Sequence, residues 1–123
     1  MAIEVDVPPG LGRVRGAASR LTQVVVNLLL NALDALEGRG SVRIGARRDG
    51  QRCVLVVEDD GPGIAPAIAD RLFEPFTTTK PVGQGTGLGL AVSLALVESM
   101  GGTIRALPHA PHGARFEVVL RLA

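Results

Sequence analysis

The sequence predicts a single α/β domain, on three observations. Apolar and polar residues alternate at positions 3–7, 42–47 and 116–122, the period of half-buried strands. Two longer runs, about 19–37 and about 88–100, carry the apolar spacing of helices. The length, 123 residues, is enough for one hydrophobic core and short for two domains.

The first strand, Ile3 to Val7, ends at Pro8-Pro9-Gly10. The strongest helix follows at about 19–37. At about 3.6 residues per turn, Arg20, Gln23, Asn27, Asn31 and Asp34 fall on one narrow stripe. Between Val24 and Leu36 every other residue is Val, Leu or Ala, so the helix is expected to be buried nearly all round. Asn and Asp are poor helix formers and need partners when buried. The stripe is an internal polar network, a solvent-facing stripe or the floor of a pocket, and in the last case Asn31 is a candidate oxygen ligand for a magnesium ion.

Gly38 to Gly40 closes this helix. Val42, Ile44 and Ala46 form a strand with one wet face, and Asp49-Gly50 marks a hairpin turn. The strand from Cys53 to Glu58 is apolar on both faces and is placed inside the sheet. It runs into Asp59-Asp60-Gly61-Pro62-Gly63-Ile64. A carboxylate there sits on a rigid support, and as a pure acceptor it suits an exocyclic amine such as adenine N6. A plain Asp/Gly/Pro turn is the competing reading. A short helix is expected over 65–72, then Phe73-Glu74-Pro75-Phe76 and a polar stretch containing Lys80, the only lysine.

Gly83-Gln84-Gly85-Thr86-Gly87-Leu88-Gly89-Leu90 places glycine at every second position just ahead of a helix. Glycine allows close backbone approach, and a helix start adds unpaired N–H donors, which together suit phosphate. The run lacks the Gly-Lys-Ser/Thr ending of a P-loop and the third glycine of the dinucleotide fingerprint. Gly101-Gly102 caps the last helix, 103–107 is a strand, and the chain closes with Phe116, Val118, Leu120 and Leu122 alternating inward.

Composition removes several classes of function. A net charge of +1 and only three aromatic residues, all Phe, argue against nucleic-acid binding and membrane contact. The single cysteine, Cys53, excludes an internal disulfide and reads as a buried, inert thiol. His109 and His112, in a Pro-rich loop, read as surface residues rather than a metal pair. No apolar run reaches the ~20 residues of a membrane span, and no signal peptide is read.

In combination the motifs are far more specific. The run Asn27-Leu-Leu-Leu-Asn31-Ala-Leu-Asp34-Ala resembles the N box of histidine kinase ATP-binding domains. The turn from Asp59 to Ile64 resembles their G1 box, Phe73 to Phe76 the F box, and the glycine run the G2 box, all in family order. The chain is thus similar to the gyrase, Hsp90, histidine kinase and MutL ATPase superfamily, in its histidine kinase branch. The resemblance covers about 19–120 and implies a two-layer α/β sandwich, a mixed and mainly antiparallel sheet packed on helices (the Bergerat-type ATP-binding fold), with residues 1–123 as one domain.

The resemblance further implies ATP and Mg2+ as cofactors. Asp59 would bind the adenine amine, with Gly61, Gly63 and Ile64 against the base. Asn31 would hold magnesium, and Asn27 and Asp34 would line the phosphate side. Gly83, Gly85, Thr86, Gly87, Leu88 and Gly89 would meet the phosphates, Phe76 would anchor the lid, and Lys80 would reach the γ-phosphate. Asn31 and Lys80 are the catalytic candidates. Asp60 stands where the family usually has Asn, Asp34 where many relatives have a basic residue, and Ala114 where a Thr often follows the glycine.

No phosphoacceptor helix is found. The expected partners are therefore a separate dimerisation and phosphoacceptor domain and a downstream response regulator, and the expected setting is cytoplasmic, excised from a larger sensor, membrane-anchored or not. The isolated chain is expected to be a monomer. The alternative is an ATP-binding module or slow ATPase of the same superfamily; a hydrolase would need a carboxylate base where this chain has Asn27.

Overall fold

A computed structural model describes residues 2–6, 18–64, 71–74, 89–108 and 112–122. Five strands form one sheet in the order β1-β2-β3-β5-β4. They are β1 (Ala2–Asp6), β2 (Ser41–Asp49), β3 (Arg52–Asp59), β4 (Thr103–Pro108) and β5 (Ala114–Arg121). The β1–β2 pair is parallel and the other three pairs are antiparallel. The sheet is therefore mixed and mainly antiparallel, as expected.

The helices are α1 (Ala18–Leu36) and α2 (Gly89–Ser99). Both supply one core: Val24, Leu28, Ala32 and Leu36 of α1 and Val97 of α2 join Val42, Val57, Phe116, Val118 and Leu120 of the sheet. Side chains alternate along a strand, so this face is apolar while the other carries the intervening residues. There Arg43 and Arg115 flank buried Glu58, and Arg105 and Arg115 hold buried Glu117. Arg105 donates to Glu117 Oε1 at 2.7 Å, which foremost holds the Glu117 carboxyl below the usual range. As expected, β3 lies between two neighbours and is buried on both faces, at Val57 on the helix side and at Val54 and Val56 on the other.

The expectation that α1 is buried all round is not met. Val26 is 40% exposed and Leu30 54%. The buried positions, 24, 28, 32 and 36, follow an i+4 row toward the sheet and α2. Val26 and Leu30 point away from that row, on the side where this two-layer packing supplies no third layer.

The ends of the elements follow local chemistry. α1 stops where Glu37 and Gly38 take positive φ, 51° and 85°. α2 ends in a Schellman cap: Gly101, at φ 76°, donates to Glu98 O, and Gly102 donates to Val97 O, both at 3.0 Å. In the β2–β3 hairpin Asp49 pairs with Arg52, so the two loop residues are Gly50 and Gln51, one later than the Asp49-Gly50 pair implies. Most of the helix expected over 65–72 lies outside the described residues; within it, Leu72 is buried in the core.

Candidate functional site

Asp59 is the last residue of β3, paired in register with Val42 on one side and Ala114 on the other. It lies on the helix-facing side of the sheet and is only 3% exposed. Its Oδ1 accepts a hydrogen bond from the Gly61 N–H at 2.9 Å. That bond turns the chain back over the end of the strand and orients the carboxylate.

The turn closes against its neighbours with no room to spare. A Cβ on Gly61 would lie 3.1 Å from Asp59 Oδ1 and 3.3 Å from Leu36 Cδ2, so glycine lets the turn sit on the end of α1. Gly63, at φ 85°, lies against Gly113 O. Ile64 follows, half-buried against the core. Asp59, Gly61, Gly63 and Ile64 thus lie together in one turn at the end of β3.

Asp60 does not simply add a charge to this turn. Its Oδ1 accepts the Ser41 N–H at 2.8 Å and its Oδ2 the Ser41 hydroxyl at 3.1 Å. The Ser41 N–H is the main cause that holds its carboxyl below the usual range. Sequence reasoning missed Ser41 and the role of His112. His112 is on the surface, as expected, but its Nδ1 lies 3.1 Å from Gly61 O. Nothing in the local sequence around Ser41 marks it, since both ties cross between strands.

The polar stripe of α1 is exposed at both ends, at Arg20 and Gln23 and again at Asp34, and half-buried between them. Asn27 is half-buried and engaged at both ends of its amide: it donates to Gly89 O at 3.3 Å and accepts from Gln23 Nε2 at 2.8 Å. This joins α1 to the first residue of α2, where Gly89 O also takes the Ser93 hydroxyl at 2.9 Å. Asn31 is half-buried one turn on, and Asp34 is exposed. Asn31 precedes Leu36 by five residues, about 7.5 Å along the axis. The stripe therefore runs away from the Asp59 turn toward the start of α2.

Phe76, Lys80, Gly83, Gly85, Thr86, Gly87 and Leu88 lie outside the described residues, as do the other positions from 75 to 88. Phe73, ahead of it, packs edge-on against Phe116 with ring centroids 6.3 Å apart. Among the described residues no group of three or more His, Cys, Asp or Glu could hold a metal ion. A magnesium ion that keeps waters and phosphate oxygens as ligands needs only one or two from the protein, and the half-buried amide oxygen of Asn31 suits that demand. Cys53 is buried, and burial pushes its thiol up, consistent with an inert side chain.

A sheet with helices on one face and a buried carboxylate at the end of its central strand defines the class. Residues 16–123 match the family described as histidine kinase-, DNA gyrase B-, and HSP90-like ATPase, and the chain belongs to it. Its relatives place it in the sensor kinase branch. It is 46% identical to the two-component sensor PprA of Pseudomonas aeruginosa over 99% of this chain and 14% of that protein. It is 39% identical to the sensory histidine kinase/phosphatase NtrB of Rhodobacter capsulatus over 100% of this chain and 38% of that protein. The chain therefore spans well under half the length of these relatives. Among solved structures, full-length ShkA in complex with AMPPNP superposes with a TM-score of 0.83 at 34% identity, over 99% of this chain and 26% of that one. The catalytic domain of histidine kinase ThkA gives 0.81 at 30% identity, over 98% of this chain and 78% of that one.

Proposed function

We propose that residues 1–123 form one catalytic domain that binds Mg-ATP and donates the γ-phosphate to a histidine on a separate dimerisation and phosphoacceptor domain, in two-component signalling. The observation that carries this is Asp59: a buried carboxylate at the end of the central strand, oriented by Gly61, in a chain of the sensor kinase branch. Asp59 accepts from the adenine amine while Gly61 and Gly63 leave the base room to approach. Ile64 forms part of the wall.

Asn27 and Asp34 face the phosphate side, and the amides of Gly83, Gly85, Gly87, Leu88 and Gly89, with Thr86, cradle the phosphates. Phe76 anchors the lid and Lys80 reaches the γ-phosphate. Asn31 supplies an oxygen ligand to magnesium, which neutralises phosphate charge when bound. Transfer forms a bond from the acceptor imidazole nitrogen to the γ-phosphorus and breaks the bond to the bridging oxygen, releasing ADP. Such transfer rests on positioning and charge stabilisation more than on covalent chemistry by the protein.

A slow ATPase is the weaker reading. A hydrolase needs a base to activate water. Asn27 is an amide, and both ends of its side chain are already used by Gln23 and Gly89. The further partner is a response regulator, the isolated chain is a monomer, and the setting is cytoplasmic. No helix among the described residues is long and apolar enough to cross a membrane.

The test supplies γ-labelled ATP, this chain, and the cognate dimerisation domain as a separate protein. A phosphate stable to base and labile to acid is expected on the added domain only. Acid-stable label on this chain alone, or rapid hydrolysis without an acceptor, contradicts the proposal.

A further inference from the structure

We infer that His112 and Asp60 are positioning residues that grip the Asp59–Gly61 turn from its two flanks and thereby set its selectivity for adenine. This rests on the proposed nucleotide site, which it deepens. It starts from a mismatch: the residue that orients Asp59 is Gly61, a glycine, whose backbone has the widest conformational freedom of any residue. Something must hold it.

On the β2 flank, Asp60 is bonded three times to one residue. Its carboxylate takes the N–H and hydroxyl of Ser41, and its own N–H donates to Ser41 O at 3.3 Å. The β2–β3 ladder is thereby extended one step past Asp59. Gly40, at φ 108°, makes room for this carboxylate, since a Cβ there would collide with Asp60 Oδ1.

On the β5 flank, His112 meets the Gly61 carbonyl at 3.1 Å. A carbonyl only accepts, so Nδ1 carries the hydrogen and donates. The next residue, Gly113, presses its backbone on Asp59 and Asp60, and a Cβ there would collide with Asp59 O. Gly61 is therefore held through both of its peptide groups. Its N–H serves Asp59 Oδ1, and its C=O is held by His112. With Gly61 fixed, Asp59 Oδ1 is occupied and the carboxylate plane is set for the base. With Gly61 released, Asp59 gains alternative orientations, and discrimination between an amine and a carbonyl on the base falls.

His112 is exposed, so its removal leaves the core intact and gives the cleaner variant. Calorimetry with ATP, GTP and adenosine is run on the whole chain, with melting temperature measured in parallel. His112→Ala should weaken ATP and adenosine binding about five- to tenfold and narrow the ATP-to-GTP ratio, the effect of losing one hydrogen bond. His112→Asn places an amide N–H near the position of Nδ1 and should restore both. Asp60→Ala should act in the same direction. Asp60→Asn, which keeps an acceptor for the Ser41 N–H and offers a donor to its hydroxyl, should recover. Rescue of base selectivity by His112→Asn separates positioning from mere stability. If Asp59→Asn loses ATP while His112→Ala keeps wild-type affinity and selectivity, this inference is overturned and the nucleotide site stands. If Asp59→Asn binds ATP as the wild type does, the nucleotide site itself is wrong.

Discussion

The two ends of the proposed nucleotide site, one assigned to the base and one to the phosphates, are built differently. At the base end, Asp59 is buried and its turn is tied to β2 through Ser41 and to the start of β5 through His112 and Gly113. At the phosphate end, Asn27 bridges to Gly89, but Asn31 is only half-buried and Asp34 is exposed. The proposed base end is held by hydrogen bonds that involve no ligand, and hydrogen-bond geometry set in advance is what discriminates one base from another. The α1 stripe offers ligand atoms whose use depends on what binds there. Selectivity should therefore reside at one end and magnesium dependence at the other, and the two should separate under mutation.

The largest effect is expected at Gly113. Its φ is 124°, and the group its Cβ would strike is backbone, which has no rotamer to give. Gly113→Ala should cost about 3 kcal/mol or more and abolish ATP binding with it. Denaturant unfolding beside calorimetry checks this; a stable variant with intact binding would show that the base end is not rigidly held. Leu28→Ala provides a reference for the core. Leu28 is fully buried, and the truncation should cost about 2–5 kcal/mol. A variant still folded should keep its ATP-to-GTP ratio.

Asn31→Ala sharpens the contrast from the other end. Adenosine affinity should stay unchanged while the gain in ATP affinity from magnesium falls about tenfold, in line with loss of one ligand to the metal. Binding measured with and without magnesium reads this directly. An unchanged magnesium gain would remove Asn31 from the metal site.

Much of the fold was legible because strands and buried helix rows have short periods. The inside position of β3 follows from Cys53 to Val57 being apolar on both faces. The Asp59 turn was legible as a motif, and the structure brings its residues together. Three things were not legible. The exposure of Val26 and Leu30 depends on how many layers cover α1, which the helix's own sequence does not encode. The Ser41–Asp60 tie joins residues 19 apart, and the His112–Gly61 tie joins residues 51 apart. Pairings at that separation arise from sheet register rather than from local pattern. Glu58 and Glu117, buried on the outer face, were likewise hidden, since their arginines come from three different strands.

The smallest effect comes from that outer face, far from the nucleotide. Glu117→Gln should cost about 1 kcal/mol, kept low because Arg105 is two-thirds exposed and its pair is screened by solvent. Nucleotide affinity should not change. The Glu117 and Asp60 carboxyls both lie below their ordinary range, so each binds its proton less readily folded than unfolded. Their contribution to stability is present above about pH 4 and is lost as pH falls below that. Acid titration followed by circular dichroism should show the wild type losing stability there more steeply than Glu117→Gln.

The central claim is that Asp59 reads adenine. Asp59 has two oxygens; Oδ1 serves Gly61 N–H, and the base amine needs the other. Asn has a single acceptor oxygen, so Asp59→Asn can satisfy only one of the two donors despite its near-identical shape. Guanine presents a carbonyl where adenine has its amine, and an unpaired acceptor costs about 1–3 kcal/mol. Calorimetry of ATP and GTP on the wild type and Asp59→Asn decides it. ATP should bind the wild type at least about tenfold more tightly than GTP, and Asp59→Asn should lose ATP affinity by about ten- to a hundredfold. Equal affinity for ATP and GTP in the wild type, or an Asp59→Asn variant that binds ATP unchanged, would contradict it.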